Sequence, residues 1–229
     1  MQDYQIPSFY FSGKFNRFIK AFRQENSRLV TFNKGDYLST FGIINNTAYL
    51  ITKGVMMFSL SHEKGVEKTI SLFGPGSIFP IGVERHRHKM DFEMIMRAFT
   101  DLEVYAVSYQ TLRKMASSNP DLAMALLEED CDFISYLFYN STSQAFSSCR
   151  TRICDTLYVS LTHNPSNKAT VEYSQSLLTM IVGASAAQVE RVLKQLRDDG
   201  VISTSRQKIT ITDKDALIGY CSDNVQNSL

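Results

Sequence analysis

The chain has 229 residues, 44% of them hydrophobic and 21% charged, which is globular composition and length enough for two separate cores. A formal net charge of +1 excludes a protein that coats nucleic acid through bulk charge, so any such binding must come from a local surface. No N-terminal signal core and no membrane-length apolar run occurs, which predicts a soluble, cytoplasmic protein with no membrane partner.

From Arg28 to about Ser108 the sequence consists of short β-rich runs broken by glycine turns. Leu29 to Phe32, Tyr49 to Ile51, Val55 to Leu60, Thr69 to Phe73, Phe92 to Phe99 and Leu102 to Val107 suit strands. Turns fall at Lys34-Gly35-Asp36, Lys53-Gly54, Lys64-Gly65 and Gly74-Pro75-Gly76. Many short strands at close spacing predict a small antiparallel barrel or roll. Gly74-Pro75-Gly76 lacks the lysine and hydroxyl of a phosphate-binding loop and reads as a structural turn. Glu84 to Lys89 alternates two histidines among cations; a metal or anion contact competes there with a solvated turn, which adjacent positive charges favour.

Asn119-Pro120 predicts the start of a long helix, with asparagine as cap and proline where no amide hydrogen is needed. Leu122, Leu126, Phe133 and Leu137 form one apolar line, and Ala123, Leu127, Ile134 and Phe138 a second. One line suffices to dock the helix on the strands. The surplus predicts another surface, and a helix buried within one subunit is the competing reading.

The C-terminal third carries the most specific pattern. Leu177, Leu178, Ile181 and Val182 share one face of a short helix, and Val189, Val192, Leu193 and Leu196 share one face of the next. Gly183 supplies the corner between them. Ser185 and Gln188 have capping-box spacing, and Gly200 closes the second helix. Val201 to Ile211 then reads as two strands around a polar turn bearing Arg206 and Lys208. A helix-turn-helix followed by a basic hairpin predicts a winged DNA reader, against the plainer reading of a helical hairpin in an unrelated fold. Arg150, Arg152, Arg191, Lys194, Arg206 and Lys208 would form its basic surface.

Cys131, Cys149, Cys154 and Cys221 show no CxxC spacing, so neither a zinc site nor a disulfide framework is expected. Cys149 and Cys154 remain open between a redox pair and inert thiols.

The landmarks Lys34-Gly35-Asp36, Tyr49 to Gly54, Gly65 to Lys68 and Phe73 to Phe79 resemble, in order and spacing, those of the cyclic-nucleotide-binding β-roll. With the winged helix that follows, the chain after about residue 25 resembles the Crp/Fnr family of bacterial transcription regulators. The fold this implies is α+β: an N-terminal antiparallel β-roll, a long dimerisation helix and a C-terminal winged helix-turn-helix. The corresponding segments are an effector-sensing roll over 1–108, a connector and dimerisation helix over 109–148, and a DNA-binding domain over 149–229. In the Crp/Fnr regulators the surface that takes the surplus of the long helix is the same helix of a second subunit, so the resemblance assigns Leu122, Leu126, Phe133 and Leu137 to dimerisation.

The resemblance places Ala186, Ala187, Gln188, Glu190 and Arg191 at the groove-facing start of the reading helix. Well-known members carry arginine and glutamate where Ala186 and Ala187 stand, so their target sequence is not expected here. Arg191 matches a base-contacting arginine and suits guanine, Gln188 could pair with adenine, and Ala186 could pack on thymine methyls. Ser174, Gln175, Ser176 and Ser185 suit phosphates, as do Arg206 and Lys208 in the hairpin. Members that bind cyclic AMP have a glutamate and an Arg-Ser pair where Ile81 and Phe92-Glu93 stand, so cyclic AMP is not the expected effector. Phe79, Ile81, Phe92 and Met94 are the candidate effector contacts, and relatives in dehalogenating bacteria that sense aromatic carboxylic acids offer the chemical precedent. An iron-sulfur cluster needs N-terminal cysteines, and none precedes Cys131. Composition leaves haem open but places no histidine for it, so no cofactor is assigned.

The expected function is a dimeric regulator reading double-stranded DNA at an inverted-repeat site under control of an unidentified small molecule, and no enzyme constellation appears. RNA polymerase is a further partner the resemblance allows. An adaptor that has lost DNA readout is the competing function, motivated by the two alanines.

Overall fold

Short strands dominate the first half because β-branched and aromatic runs are cut by glycines every few residues. They are β1 (Tyr10–Phe11), β2 (Arg28–Phe32), β3 (Thr47–Lys53), β4 (Met56–His62), β5 (Glu67–Phe73), β6 (Ile78–Phe79), β7 (Phe92–Ala98) and β8 (Leu102–Ser108), with helix α1 (Ile19–Gln24) between the first two. The computed structural model describes residues 7–25, 27–38, 46–62, 67–81, 92–162 and 169–227. The Lys64-Gly65 turn and the Glu84 to Lys89 segment lie outside these residues. Two four-stranded sheets form, with strand orders β1-β5-β4-β7 and β2-β8-β3-β6. Their pairings are antiparallel except one: β1 runs parallel to β5, with Tyr10 opposite Leu72. A two-residue strand is too short to show alternation in sequence. Gly54, at φ +83°, makes the β3–β4 turn, and a side chain there would collide with the Asp101 carbonyl.

Helix α2 (Tyr109–Ser118) starts where the Ser108 hydroxyl accepts from the Thr111 amide at 3.1 Å. Helix α3 (Pro120–Phe146) follows, with Asn119 Oδ1 accepting from the Leu122 amide at 3.2 Å. Leu122, Ala125 and Leu126 are buried with Phe15, Phe18, Phe22, Leu50, Ile78, Tyr105 and α2's Leu112 and Met115 in one core. Fully burying a side chain such as Leu122 contributes roughly 1.5–3 kcal/mol. Phe133 joins a second cluster, its ring 5.8 Å from Phe11, 6.2 Å from Phe73 and 5.7 Å from Phe79.

These positions correct the assignment of the two apolar lines. Leu122, Leu126 and Phe133 face the chain's own roll, and of the four side chains assigned to dimerisation only Leu137 is exposed. The exposed line keeps Leu127, Ile134 and Phe138 of the other one but begins at Met124, because Ala123 is partly buried. Met124, Leu127, Ile134 and Phe138 are 53%, 55%, 49% and 71% exposed, and Cys131 between them is exposed as well. The chain divides into two compact units, Phe9–Ser135 and the chain from Tyr136 onward, with Ser8 grouped in the latter. The connector is therefore no separate body: α2 and the first half of α3 share the roll's core.

The second unit contains the rest of α3, then α4 (Cys149–Thr162), β9 (Thr170–Val171), α5 (Gln175–Val182), α6 (Ala186–Asp198), β10 (Ile202–Ser205), β11 (Lys208–Ile211), α7 (Lys214–Gly219) and α8 (Asp223–Gln226). Its core gathers Ile153 and Leu157 of α4, Leu178, Val182, Val189, Leu193 and Leu196 of α5 and α6, and Ile202, Ile209 and Ile211 of the hairpin. Burial raises the Cys149 thiol and pushes Cys154 up to about 12, which keeps both protonated and favours the inert reading over a redox pair. Among the described residues no single helix is long and apolar enough to cross a membrane.

A buried carboxylate ties this unit together. Asp155 of α4 accepts from the Tyr139 hydroxyl of α3 at 3.0 Å and from the Ser222 amide ahead of α8 at 2.8 Å. Asp155→Ala leaves both donors without a partner and should cost about 1–3 kcal/mol of stability. Urea unfolding of the wild type and variant measures it; equal midpoints would show that the clamp contributes nothing.

Candidate nucleic-acid interface

Helix α5 begins at Ser174, whose Oγ accepts from the Leu177 amide at 3.1 Å, and ends at Gly183 with φ +61° and ψ +48°. The left-handed glycine lets the chain reverse at once into α6. Ser185 caps α6 in a full capping box: its Oγ accepts from the Gln188 amide at 3.3 Å, and Gln188 Oε1 accepts from the Ser185 amide at 3.0 Å. The two helices are bent by 110° relative to one another, within the range of a helix-turn-helix. Two further donors hold the corner from outside it. Gln144 Nε2 of α3 and Arg152 Nε of α4 each lie 3.0 Å from the Val182 carbonyl oxygen, the last of α5.

The hairpin is a two-residue turn of Arg206 and Gln207 between Ser205 and Lys208, which pair across β10 and β11. Gln207 takes φ +60°, an unusual choice where glycine or asparagine is preferred. A third strand missed in the sequence, β9, pairs with β11 through Val171 and Ile209. Two residues again gave no pattern to read.

On α6 the buried stripe of Val189, Leu193 and Leu196 leaves the opposite side in solvent. There Ala187, Arg191 and Lys194 line up at helical spacings of four and three. Among the described residues Arg191, Lys194 and Arg206 are exposed and make no ion pair or side-chain hydrogen bond, so their charges are available. Ser176 and Ala186 are exposed as expected. The other candidates are engaged. Gln188 is held in its capping box, which takes its carbonyl oxygen away from a base. Ser174 and Ser185 serve as caps. Gln175 donates to Glu190 at 2.8 Å, and Lys208 pairs with Glu172 at 3.1 Å. Arg152 is spent on the Val182 and Ser147 carbonyls, and Arg150 lies 4.6 Å over the Tyr220 ring. The basic surface is thus narrower than composition suggested, and centred on Arg191, Lys194 and Arg206.

Residues 151–220 match the Crp-like helix-turn-helix domain family. The cAMP-activated global transcriptional regulator CRP of Salmonella typhimurium is 28% identical over 176 residues, covering 72% of this chain and 80% of that protein. Residues 151–220 belong to that helix-turn-helix family, and the matches together support a Crp/Fnr-type regulator. The chain is a DNA-binding transcription regulator of that type rather than an enzyme. The global nitrogen regulator of Synechococcus elongatus is 21% identical over 212 residues, covering 88% of this chain and 96% of that one. Two solved structures share the fold: FixK2 from Bradyrhizobium japonicum, with TM-score 0.73 and 15% identity over 86% of this chain and 98% of that one, and OCPA-complexed CprK, with TM-score 0.70 and 15% identity over 91% and 98%.

The candidate effector residues are scattered rather than gathered. Phe79 stacks 4.3 Å from Phe73 and lies 4.8 Å from Phe58. Ile81 packs instead on the core around Phe15 and Leu122, and Met94 is half exposed on β7. Phe92 opens β7, and its side chain lies outside the described residues. What sequence reasoning missed is the ring cluster itself, Phe11, Phe58, Phe73, Phe79 and Phe133, whose members come from five separate elements. Beside it Ser71, opposite Phe58 in the β4–β5 register, is fully buried and its hydroxyl finds no partner.

Proposed function

We propose that the protein works as a homodimer joined along α3, reads an inverted-repeat DNA site with α6, and is controlled by a small aromatic effector in the roll. The observation that carries the reading is the exposed line Met124, Leu127, Cys131, Ile134 and Phe138, which advances along α3 in alternating steps of three and four residues. That is the repeat of a two-stranded coiled-coil seam, and the side chains of a lone chain would leave it in water. A two-fold pair of chains presents two α6 helices and hence favours an inverted repeat. Its place of work would be the cytoplasm, where bacterial DNA lies.

The ring cluster supports the effector class. Stacked phenylalanines suit an aromatic guest, and the unpartnered Ser71 hydroxyl offers a hydrogen bond to an acceptor on it. A cyclic nucleotide would need a cation for its phosphate. Arg97, on β7, is already paired with Glu67 at 2.5 Å and lies over the Tyr37 ring. With Ile81 and exposed Glu93 at the positions where the family's nucleotide binders carry their contacts, this argues against cyclic AMP.

Selection of bound duplexes from random DNA, with and without aromatic acids and cyclic nucleotides, tests the whole reading. Arg191→Ala should then weaken binding to the selected site by about 1–3 kcal/mol in a gel-shift titration. Unchanged affinity and base preference would remove Arg191 from the interface, and heat in calorimetry from cyclic nucleotides alone would overturn the aromatic effector.

A further inference from the structure

Glu190 stands one residue before Arg191 on α6, and its side chain is 51% exposed. A carboxylate so close to the expected path of DNA phosphates is unfavourable unless it has a task. An exposed glutamate ordinarily samples several rotamers, but this one is held at both oxygens. Oε2 accepts from Gln175 Nε2 of α5 at 2.8 Å, and Oε1 accepts from an Arg197 terminal nitrogen at 3.1 Å. The other terminal nitrogen of Arg197 lies 3.4 Å from Thr204 Oγ1 on β10. Glu190 is therefore fixed from the first helix on one side and, through Arg197, from the hairpin on the other. Each carboxylate oxygen retains a second lone pair.

We propose that Glu190 is a specificity-determining residue, accepting a hydrogen bond from the exocyclic amino group of a cytosine in the major groove. The proposal rests on the DNA-reading role of α6. Among the four bases, cytosine alone presents an amino donor with no acceptor beside it. Adenine sets N7 next to its amino group, guanine offers this groove only acceptors, and thymine an acceptor and a methyl group, so neither of the last two donates to a carboxylate. Glu190 thus rejects as well as selects, and its charge opposes docking on DNA of arbitrary sequence. Pre-positioning by Gln175 and Arg197 means that little side-chain freedom is lost on binding. The ion pair also withholds Arg197 from phosphates, so Glu190 lowers the salt-sensitive part of the affinity.

The competing role is purely structural, a strut joining α5, α6 and the hairpin. The two roles separate in a selection from random duplexes by the full-length wild type, Glu190→Ala and Glu190→Gln, with thermal melting as a folding check. A reader predicts that Glu190→Ala loses a roughly ten- to hundredfold cytosine preference at one position of each half-site and keeps the others. It also predicts that Glu190→Gln moves that position towards adenine, the base a side-chain amide pairs with. With Arg197 released, the log–log salt slope of Glu190→Ala on a non-cognate duplex should steepen by about one. A strut predicts equal weakening on every sequence. Preference profiles unchanged at every position in both variants would overturn the proposal; if Glu190→Ala fails to fold, the profile of Glu190→Gln decides. A wild type that selects no sequence refutes the DNA-reading role instead, so the two failures are distinct.

Discussion

Ile134→Asp combined with Phe138→Asp is expected to turn the protein into a monomer and to abolish its binding to an inverted-repeat duplex at concentrations that saturate the wild type. Ile134 is 49% and Phe138 71% exposed in the single chain, so the exchange removes little packing compared with a core substitution. In a paired seam the same carboxylates would be buried without partners, once from each copy. An unpaired buried charge costs several kcal/mol even after relaxation, and each 1.4 kcal/mol is a factor of ten in the dimer constant. Four such charges exceed what a seam of this length can offset. Leu122→Asp makes the contrasting control, because Leu122 is fully buried in the roll's core and its exchange should unfold that unit. Sedimentation velocity reads the assembly state and a gel shift reads the DNA. A double variant that still sediments as a dimer would show that the seam lies elsewhere.

The contrast between those lines marks where sequence reasoning stopped. Periodicity shows that α3 has more apolar surface than one docking face needs, but the two lines are equally apolar, and only the packed roll decides which of them it covers. Leu122, Ala125 and Leu126 were taken by Phe15, Phe18 and Phe22 from the N-terminal segment, a long-range choice that no local pattern records. The helix-turn-helix was legible because its signals are local. Ser174, Gly183, Ser185 with Gln188, and Gly200 each sit within three residues of the backbone group they satisfy or the turn they permit. The contacts that stiffen it were not legible. Gln144 and Arg152 reach the Val182 carbonyl from 38 and 30 residues away. The same limit hid Glu190: charge on a DNA-facing helix looks unfavourable until Gln175 and Arg197 are seen to hold it.

Raising the pH from 4 to 8 should destabilise the wild type by roughly 3 kcal/mol more than it destabilises Glu129→Gln. Glu129, on α3, is 4% exposed, and its Oε1 is buried without a partner. Burial pushes its carboxyl up to about 7 from 4.5. Lys14, 3.6 Å from Oε2, opposes the rise, while Asp132 and Asp130 on the same helix add to it. Lys14 cannot fully compensate because Asp132 holds it at 2.5 Å. Between the unfolded and folded values the folded protein keeps a proton that the unfolded chain has released. The folded state therefore binds more protons, and stability falls as pH rises through that window, by about 1.4 kcal/mol per pH unit. Below 4.5 both states are protonated and no difference remains; above 7 the full penalty stands. Glutamine imitates the protonated form at every pH, so the variant should match the wild type at pH 4 and melt higher at pH 8. Calorimetric stability curves that run parallel for the two proteins across this range would mean that Glu129 is charged in the folded roll, with Lys14 as its sufficient partner. A diverging pair would place a proton on α3 near neutral pH.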